Sequence, residues 1–478
     1  MKTPIPEYAG IYQGIALIAD PIYRYASFTV PRGADGETTE KELIDSSWVQ
    51  RLRRIYQLQS ARWVYPAAEH TRFQHSLGTM HMAGEFGRRL YPSLKEVCPD
   101  VPSQNFIEEL LRVTGLLHDV GHGPYGHFFD DHFLAGFGLT HEILGQQIIC
   151  RKLGKMISRI DRSPSGAFAP GEILDPKMAA FLIRKPDGQA EKAPLWLAML
   201  RQLFSGTYTV DNLDYVQRDA FMTGFSLDIV DVERLCFYTF FTRDGLTLHQ
   251  AGVSAFNRFL NARLNLYSNV YFHRTTRALD LHLQEIFRDT VSLIIPKIAS
   301  RNGKSTAFNL DAYIDFDEWR LFCEVRSWLK SPDPLKRRLG REWGKLHNRE
   351  VKWKMSFAAE LSIDQLHRGT SFADAAAYEE RIRSFLPANL KKKVFRVDLA
   401  MQDPRPLNPM AETGKKVNIF DPATGKVSTE PLRDIYRFIP ARIVQLRVFS
   451  LDHDHDDAVS RAAERALDAL DGGSPTNI

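Results

Sequence analysis

Long apolar runs are missing from this chain of 478 residues: no window approaches the roughly 20 apolar residues that a membrane-spanning helix requires. The mild run over residues 11–18 carries Gln13 and lacks a basic leader, so it does not read as a secretory signal. Cysteine is scarce as well. Cys98, Cys150, Cys236 and Cys323 are far apart and form no CxxC pair, which argues against a disulfide framework or a cysteine zinc site and for free thiols in a reducing compartment. A one-sided charge is also absent. The net charge of +4 is small for this length, which speaks against a nucleic-acid coat protein while leaving room for local basic patches. No internal repeat or low-complexity tract is present. What remains is an ordinary globular balance, 44% hydrophobic and 25% charged, expected to be soluble and cytoplasmic. Length allows two to three domains, or one large domain with appendages.

Periodicity then divides the chain. Residues 1–45 mix short apolar runs with Pro6, Gly10, Pro21, Pro31 and Gly33, and read as an arm with one or two short strands. From Ser46 apolar residues recur every three to four positions, and helices are expected over 76–90, 104–117, 141–152, 190–204 and 254–294. Residues 46–300 read as one helical domain and 301–390 as a more charged helical extension. Near Lys391 the pattern shifts: 394–400, 417–420 and 443–449 alternate or run apolar, with prolines between them, before an amphipathic helix over about 456–470. The expected fold is mainly α, a helical core with a small α+β C-terminal region over 391–478.

Histidine is the residue in excess. Eight of the fifteen fall between His70 and His141, two of them in Leu117-His118-Asp119-Val120-Gly121-His122-Gly123-Pro124. An imidazole beside a carboxylate is a ready ligand pair for a divalent metal, and histidine also moves protons near neutral pH. Adjacent helical residues point about 100° apart, so His118 and Asp119 can meet one ion only at a helix end or kink, which Gly121, Gly123 and Pro124 supply. Two ligands do not hold an ion. His75, opening a helix after a loop, and Asp211, in a polar break between apolar stretches, are the further candidates.

The order His75, His118-Asp119, Asp211 resembles the H…HD…D signature of the HD-domain metal phosphohydrolases. The flanks narrow the likeness: Gln50-Arg51-Leu52-Arg53-Arg54-Ile55-Tyr56-Gln57-Leu58, then His70-Thr71-Arg72-Phe73-Gln74-His75-Ser76-Leu77-Gly78, then the segment from Asp211 to Asp219. These are similar to the deoxynucleoside triphosphate triphosphohydrolase (dGTPase-like) branch, over about residues 40–300 and more weakly to about 450. The resemblance implies a core in which His75, His118, Asp119 and Asp211 bind one divalent ion per active site, be it Mn, Fe, Zn, Ni or Mg. It matches Arg72 to a phosphate-binding arginine, and His122, His127 and His141 to active-site histidines. Asp130, one turn after His127, would orient or charge it. Gln57, Leu58, Tyr215 and Tyr271 match positions that enclose the deoxyribose. Asp219 and the Tyr271-Phe272-His273 string, read as helical, add substrate contacts. The reaction implied is hydrolysis of a dNTP at the α-phosphorus to nucleoside and inorganic triphosphate, by a homo-oligomer. Asp45, Gln50 and Arg53 resemble an activator-nucleotide site that some relatives use at subunit contacts.

The chain departs from the pattern in places. Gln59-Ser60-Ala61 stands where the family often has glycines, Asn212 where several relatives carry a phosphate-binding lysine, and Gln74 where a glutamate is common. Plainer readings exist too: His122 and His127 as donors behind the metal, Arg72 as a buried arginine paired with a carboxylate, Tyr215 and Tyr271 as core, and an N-cap plus solvated charges for Asp45, Gln50 and Arg53. His70, His81 and His132 read as surface or capping residues. Gly303-Lys304-Ser305-Thr306 lacks the earlier glycine of a P-loop, the 452–457 stretch reads as a solvated acidic turn, and the basic runs 336–341 and 391–396 read as solvated faces ahead of nucleic-acid or effector binding. Two other functions stay open: a phosphohydrolase or phosphodiesterase acting on another nucleotide, and a nucleotide-sensing or nucleic-acid-binding module without turnover.

Overall fold

The computed structural model describes residues 12–33, 37–184, 193–206, 208–225, 230–295, 299–302, 305–362, 375–402, 417–429 and 443–471. Gly303-Lys304, the prolines at 404, 406 and 409 and the 472–478 end fall outside them. None of the four cysteines is in a disulfide, and among the described residues no helix is long and apolar enough to cross a membrane.

Mainly α-helix, as expected, the chain is organised around the antiparallel pair Arg72–Val97 and Gln104–Leu117. The first helix begins four residues earlier than its apolar spacing suggests. Thr71 and Gln74 form a capping box, each satisfying the other's backbone N–H, so Arg72 is the first helical residue. It also runs through Pro92 to Val97. The second helix matches its expected bounds, with the Ser103 hydroxyl accepting from the Phe106 N–H. Gly115 lets the two backbones touch: a Cβ there would lie 2.7 Å from the Thr79 carbonyl oxygen.

The expected single helix over 254–294 is instead two, Val253–Leu266 and Arg274–Ile294, joined by a π-turn at Tyr267–Tyr271 and a break at Phe272-His273. His273 caps the second helix, its Nδ1 accepting from the Thr275 N–H. Apolar periodicity continues across a π-turn, so spacing alone reads straight through it.

Strands occur where helix was expected. Thr239–Thr242 and Gly245–His249 form a hairpin inside the helical region, and Asn418–Asp421 joins it in parallel, reaching out of the C-terminal segment. Lys354–Ser362, in the stretch read as helical, pairs with Ile443–Ser450, which pairs with Phe395–Gln402. Helices Ala375–Phe385 and Asp456–Asp471 share a small core with this sheet, through Tyr378, Ile382, Val448 and Val459. The larger core runs continuously from Leu43 to Leu346 and takes in Val417 and Ile419. Alternation identifies a strand, but nothing local names its partner.

The N-terminal arm is a hairpin, Ile15–Asp20 with Arg24–Thr29. Its tip reaches the centre of the molecule: Asp20 pairs with Arg218 at 2.9 Å, and the Tyr23 hydroxyl donates to Asp214 Oδ1 at 2.8 Å.

Candidate active site

Three helix ends converge. His75 lies in the first turn of Arg72–Val97, His118 is the C-cap of Gln104–Leu117 with Asp119 in the turn beyond, and Asp211 lies in the first turn of Val210–Thr223, capped by Thr209. Asp211 is therefore helical, where a polar break was expected. The side chains meet. His75 Nε2 is 3.2 Å from His118 Nε2 and 3.0 Å from Asp211 Oδ1, and His118 Nε2 is 3.3 Å from Asp119 Oδ1 and 3.7 Å from Asp211 Oδ1.

The other ring nitrogens are accounted for. His75 Nδ1 is 2.7 Å from Asp214 Oδ2, and His118 Nδ1 is 2.7 Å from the Gly115 carbonyl. N–H donation there leaves both Nε2 atoms as ligands, the arrangement in which outer partners fix a metal-binding imidazole. Asp214 in turn accepts two bonds from Arg218. Burial alone would keep these groups neutral, yet charge pairing wins. Hydrogen bonds to Asp211 and Asp214 raise the His75 pKa to about 10. The two histidines hold the Asp211 carboxyl far below the usual range, and His118 and Arg72 do the same for Asp119. His75, His118 and Asp119 lie close enough to share one ion, and Asp211, 3.0 Å from His75 Nε2, adds a second carboxylate, a donor set that suits a divalent metal.

Beside it lies a second histidine cluster. His141 Nδ1 bonds Asp130, whose Oδ2 is 3.6 Å from His127 Nδ1 and 3.9 Å from His122 Nδ1. Asp130 was expected to serve His127, but His141 is its nearer partner. His122 stacks flat on His141, centroids 3.7 Å apart. It is fully buried, with neither ring nitrogen hydrogen-bonded, and burial with Arg72 and His141 nearby pushes its pKa well down. His127 is the exposed member, with 63% of its side chain open.

A cavity of about 660 Å³, within the range of small-molecule sites, joins both clusters. Its walls include Gln57, Leu58, Arg72, His75, His118, Asp119, His127, His141, Asp211, Tyr215, Asp219 and Tyr271. Asp219 is held on both oxygens, by His70 Nε2 at 2.9 Å and by the Tyr271 hydroxyl at 2.5 Å. His70 is therefore a buried support of the pocket, where a surface role was expected. His81 packs on Tyr23 and His132 on Phe128. His273 does not line the cavity; as a helix cap it lies edge-on to Tyr65. His122 and Asp130 stand behind the wall rather than on it.

Residues that sequence reasoning missed also face this space. Arg263 lines it with an unpaired buried Nε, beside Tyr215 and Tyr267. The gap at Asn212, also on the wall, was the one signal for a cation supplied from elsewhere. Asp45, Gln50 and Arg53 lie outside the cavity. Lys41 pairs with Asp45 at 2.6 Å, Gln50 donates to the Ile44 carbonyl, and Arg53 donates to Gln50 and lies over the Phe73 ring.

Residues 72–164 match the HD domain family and residues 230–342 the HD associated region. The chain thus contains an HD domain and, beyond it, an HD associated region. It is 28% identical over 327 residues to YwfO, an uncharacterised protein of Bacillus subtilis, covering 66% of this chain and 67% of that one. It is 25% identical over 250 residues to the deoxynucleoside triphosphate triphosphohydrolase SAMHD1 homolog of Dictyostelium discoideum, covering 52% and 46%, and 36% identical over 124 residues to SAMHD1 of Bos taurus, covering 26% and 19%. Beyond YwfO, the chain spans about half or less of the length of these relatives. A phosphohydrolase from Bacteroides thetaiotaomicron shares the fold, with a TM-score of 0.63 at 19% identity over 92% of this chain and 100% of the other. The HD domain thus carries both histidine clusters, and the associated region supplies Arg263, Tyr267 and Tyr271.

Proposed function

We propose that the HD-domain protein hydrolyses deoxynucleoside triphosphates to deoxynucleoside and inorganic triphosphate. The observation that carries this reading is the convergence of His75, His118, Asp119 and Asp211 on a nucleotide-sized cavity whose lining includes the guanidinium groups of Arg72 and Arg263, each with an unpaired buried Nε. A divalent ion held by the four ligands would polarise the α-phosphoryl oxygen and lower the pKa of the attacking water.

The chain's own groups account for the rest. Two carboxylates formally cancel a divalent charge, so the triphosphate depends on other cations, and planar guanidinium forks suit its oxygens. Arg72, now 2.5 Å from Asp119 Oδ2, would share itself between that carboxylate and the α-phosphate. Arg263 stands in for the lysine that Asn212 replaces. His127, open to the cavity and backed by Asp130, is placed to protonate the leaving 5′ oxygen. His141 holds Asp130 in position, and His122 stacks on His141 with its Nε2 3.3 Å from Asp119 Oδ1. Tyr215, Tyr271 and Leu58 enclose the sugar so that a 2′ hydroxyl finds neither space nor partner, while Asp219 accepts from the 3′ hydroxyl. Gln57 completes that wall. A homo-oligomer, and an activator nucleotide at Asp45, Gln50 and Arg53, belong to the same reading.

The test is product identity. Purified protein incubated with each dNTP and Mn, Mg, Fe, Zn or Ni should release inorganic triphosphate. Its absence across metals and nucleotide mixtures refutes the reading, and nucleoside monophosphate as product would replace it with a phosphodiesterase-type reaction.

A further inference from the structure

The turn from Asp119 to His127 joins the metal ligands to the histidine placed at the mouth, yet little of its backbone bonds outward to regular structure. Tyr125 has φ +64 and Gly126 φ +53, successive left-handed residues, of which Tyr125 has no glycine's freedom. A turn strained in this way keeps its shape only if something outside fixes it.

That something lies in the associated region, within residues 313–318. Glu318 Oε1 accepts from the Tyr125 N–H at 3.1 Å and, equally, from the Tyr56 N–H at 3.1 Å, directly before Gln57-Leu58 on the pocket wall. The Tyr313 hydroxyl donates to the Gly121 carbonyl at 2.9 Å. Arg51 bridges the two segments, donating to the His122 carbonyl at 2.7 Å and twice to the Phe316 carbonyl. Glu318, Arg51 and Tyr313 are all fully buried, and the Tyr313 ring packs on Phe129 two residues after His127. Three peptide groups of the turn, Gly121, His122 and Tyr125, are thus satisfied by side chains from outside it.

Resting on the reading above, we propose that Glu318 is a positioning residue for the reaction: by holding Tyr125 and Tyr56 on one oxygen it sets His127 against the nucleotide pocket, and the associated region completes the active site in this way. It touches neither metal nor substrate. Its action is through an acceptor oxygen, which an amide supplies as well as a carboxylate.

The experiment compares wild type, Glu318→Ala and Glu318→Gln for kcat and KM, for metal bound per chain, and for hydrogen–deuterium exchange of peptides covering 119–127. Glu318→Ala should keep its metal and its KM while kcat falls on the order of a hundredfold, as displacements of about 1 Å at a reacting centre do. The 119–127 peptides should exchange faster. Glu318→Gln should restore both to near wild type. Tyr313→Phe, a milder change that keeps the fold if Glu318→Ala does not, should speed exchange in the same peptides and lower kcat less. Wild-type kcat in Glu318→Ala, loss of metal in step with activity, or a Glu318→Gln variant as impaired as alanine each overturns the proposal. If wild type turns over no nucleotide, the functional reading fails by itself, and the exchange data still decide whether Glu318 holds the turn.

Discussion

Replacing Glu318 by glutamine should change how the protein's stability depends on pH, with a sign that the structure fixes. The carboxyl is wholly buried, its Oε2 has no partner, and burial raises its pKa from 4.5 to about 7 against the opposing pull of Arg62. The folded chain therefore keeps this proton up to about pH 7, whereas the unfolded chain releases it near 4.5. Between those values the native state binds more protons than the unfolded state, so stability falls as pH rises. The contribution is complete below about 4.5 and lost above about 7. At 1.36 kcal/mol per pKa unit, the 2.5 units between the two values correspond to about 3 kcal/mol. Glutamine keeps the acceptor and does not titrate. The difference in unfolding free energy between variant and wild type should move in the variant's favour by about 3 kcal/mol from pH 4.5 to pH 8, measured by urea denaturation of both proteins across that range. Comparing the pair cancels every other titrating group. Parallel pH curves would refute the reasoning. So would a variant that loses ground at pH 8, which would mean an ionised carboxylate paired with Arg62.

Three further outcomes are expected. His118→Ala and Asp211→Ala should each lose bound divalent metal and at least about a thousandfold in turnover, and a chelator should reproduce the loss in wild type until metal is returned; full metal content in either variant counts against the ligand set. Tyr23→Phe removes the hydroxyl that donates to Asp214 behind His75 and should weaken manganese binding about 10- to 100-fold by titration calorimetry, with unchanged affinity meaning the hairpin does not support the site. Gln59 lines the cavity at φ +45, so Gln59→Gly should raise stability by about 1 kcal/mol in thermal melts and alter the ratios of kcat/KM among the four dNTPs; identical ratios would show that its side chain reads nothing.

The proposed ligand set was legible as an order of residues, H…HD…D, and the structure brings its side chains together. Its supports could not be read that way. Asp214 was visible in the string but indistinguishable from a solvated helix acid until Tyr23, Arg218 and His75 closed around it, from 191, 4 and 139 residues away. His70 looked like a loop histidine because its partner Asp219 is 149 residues distant. The fold divides along the same line. Capped helices such as Gln104–Leu117 were legible to the residue, while the Tyr267–Tyr271 π-turn kept the apolar rhythm of a helix and hid the break that turns Tyr267 and Tyr271 toward one pocket. The strands at Lys354–Ser362 and Asn418–Asp421 depend on partners far along the chain, which no window of sequence contains.

Convergence of helix ends also explains why so few residues suffice. Two N-termini, Arg72–Val97 and Val210–Thr223, and one C-terminus, Gln104–Leu117, meet at the ligands. The N-terminal ends carry partial positive charge, which favours the Asp211 carboxylate in the first turn of Val210–Thr223. The C-terminal end presents free carbonyls, and one of them, Gly115, orients His118. His118 is thus fixed by the end of its own helix, and His75 by Asp214 from the facing one. The turn after Asp119 has bonds of its own, from the His122 N–H to the Asp119 carbonyl and from the Gly126 N–H to the Gly123 carbonyl, and is held from outside as well. The 313–318 segment does this at Tyr125, while the hairpin braces helix Val210–Thr223 at Asp214. Both supports lie outside the 72–164 match, so the signature residues alone do not make a rigid site.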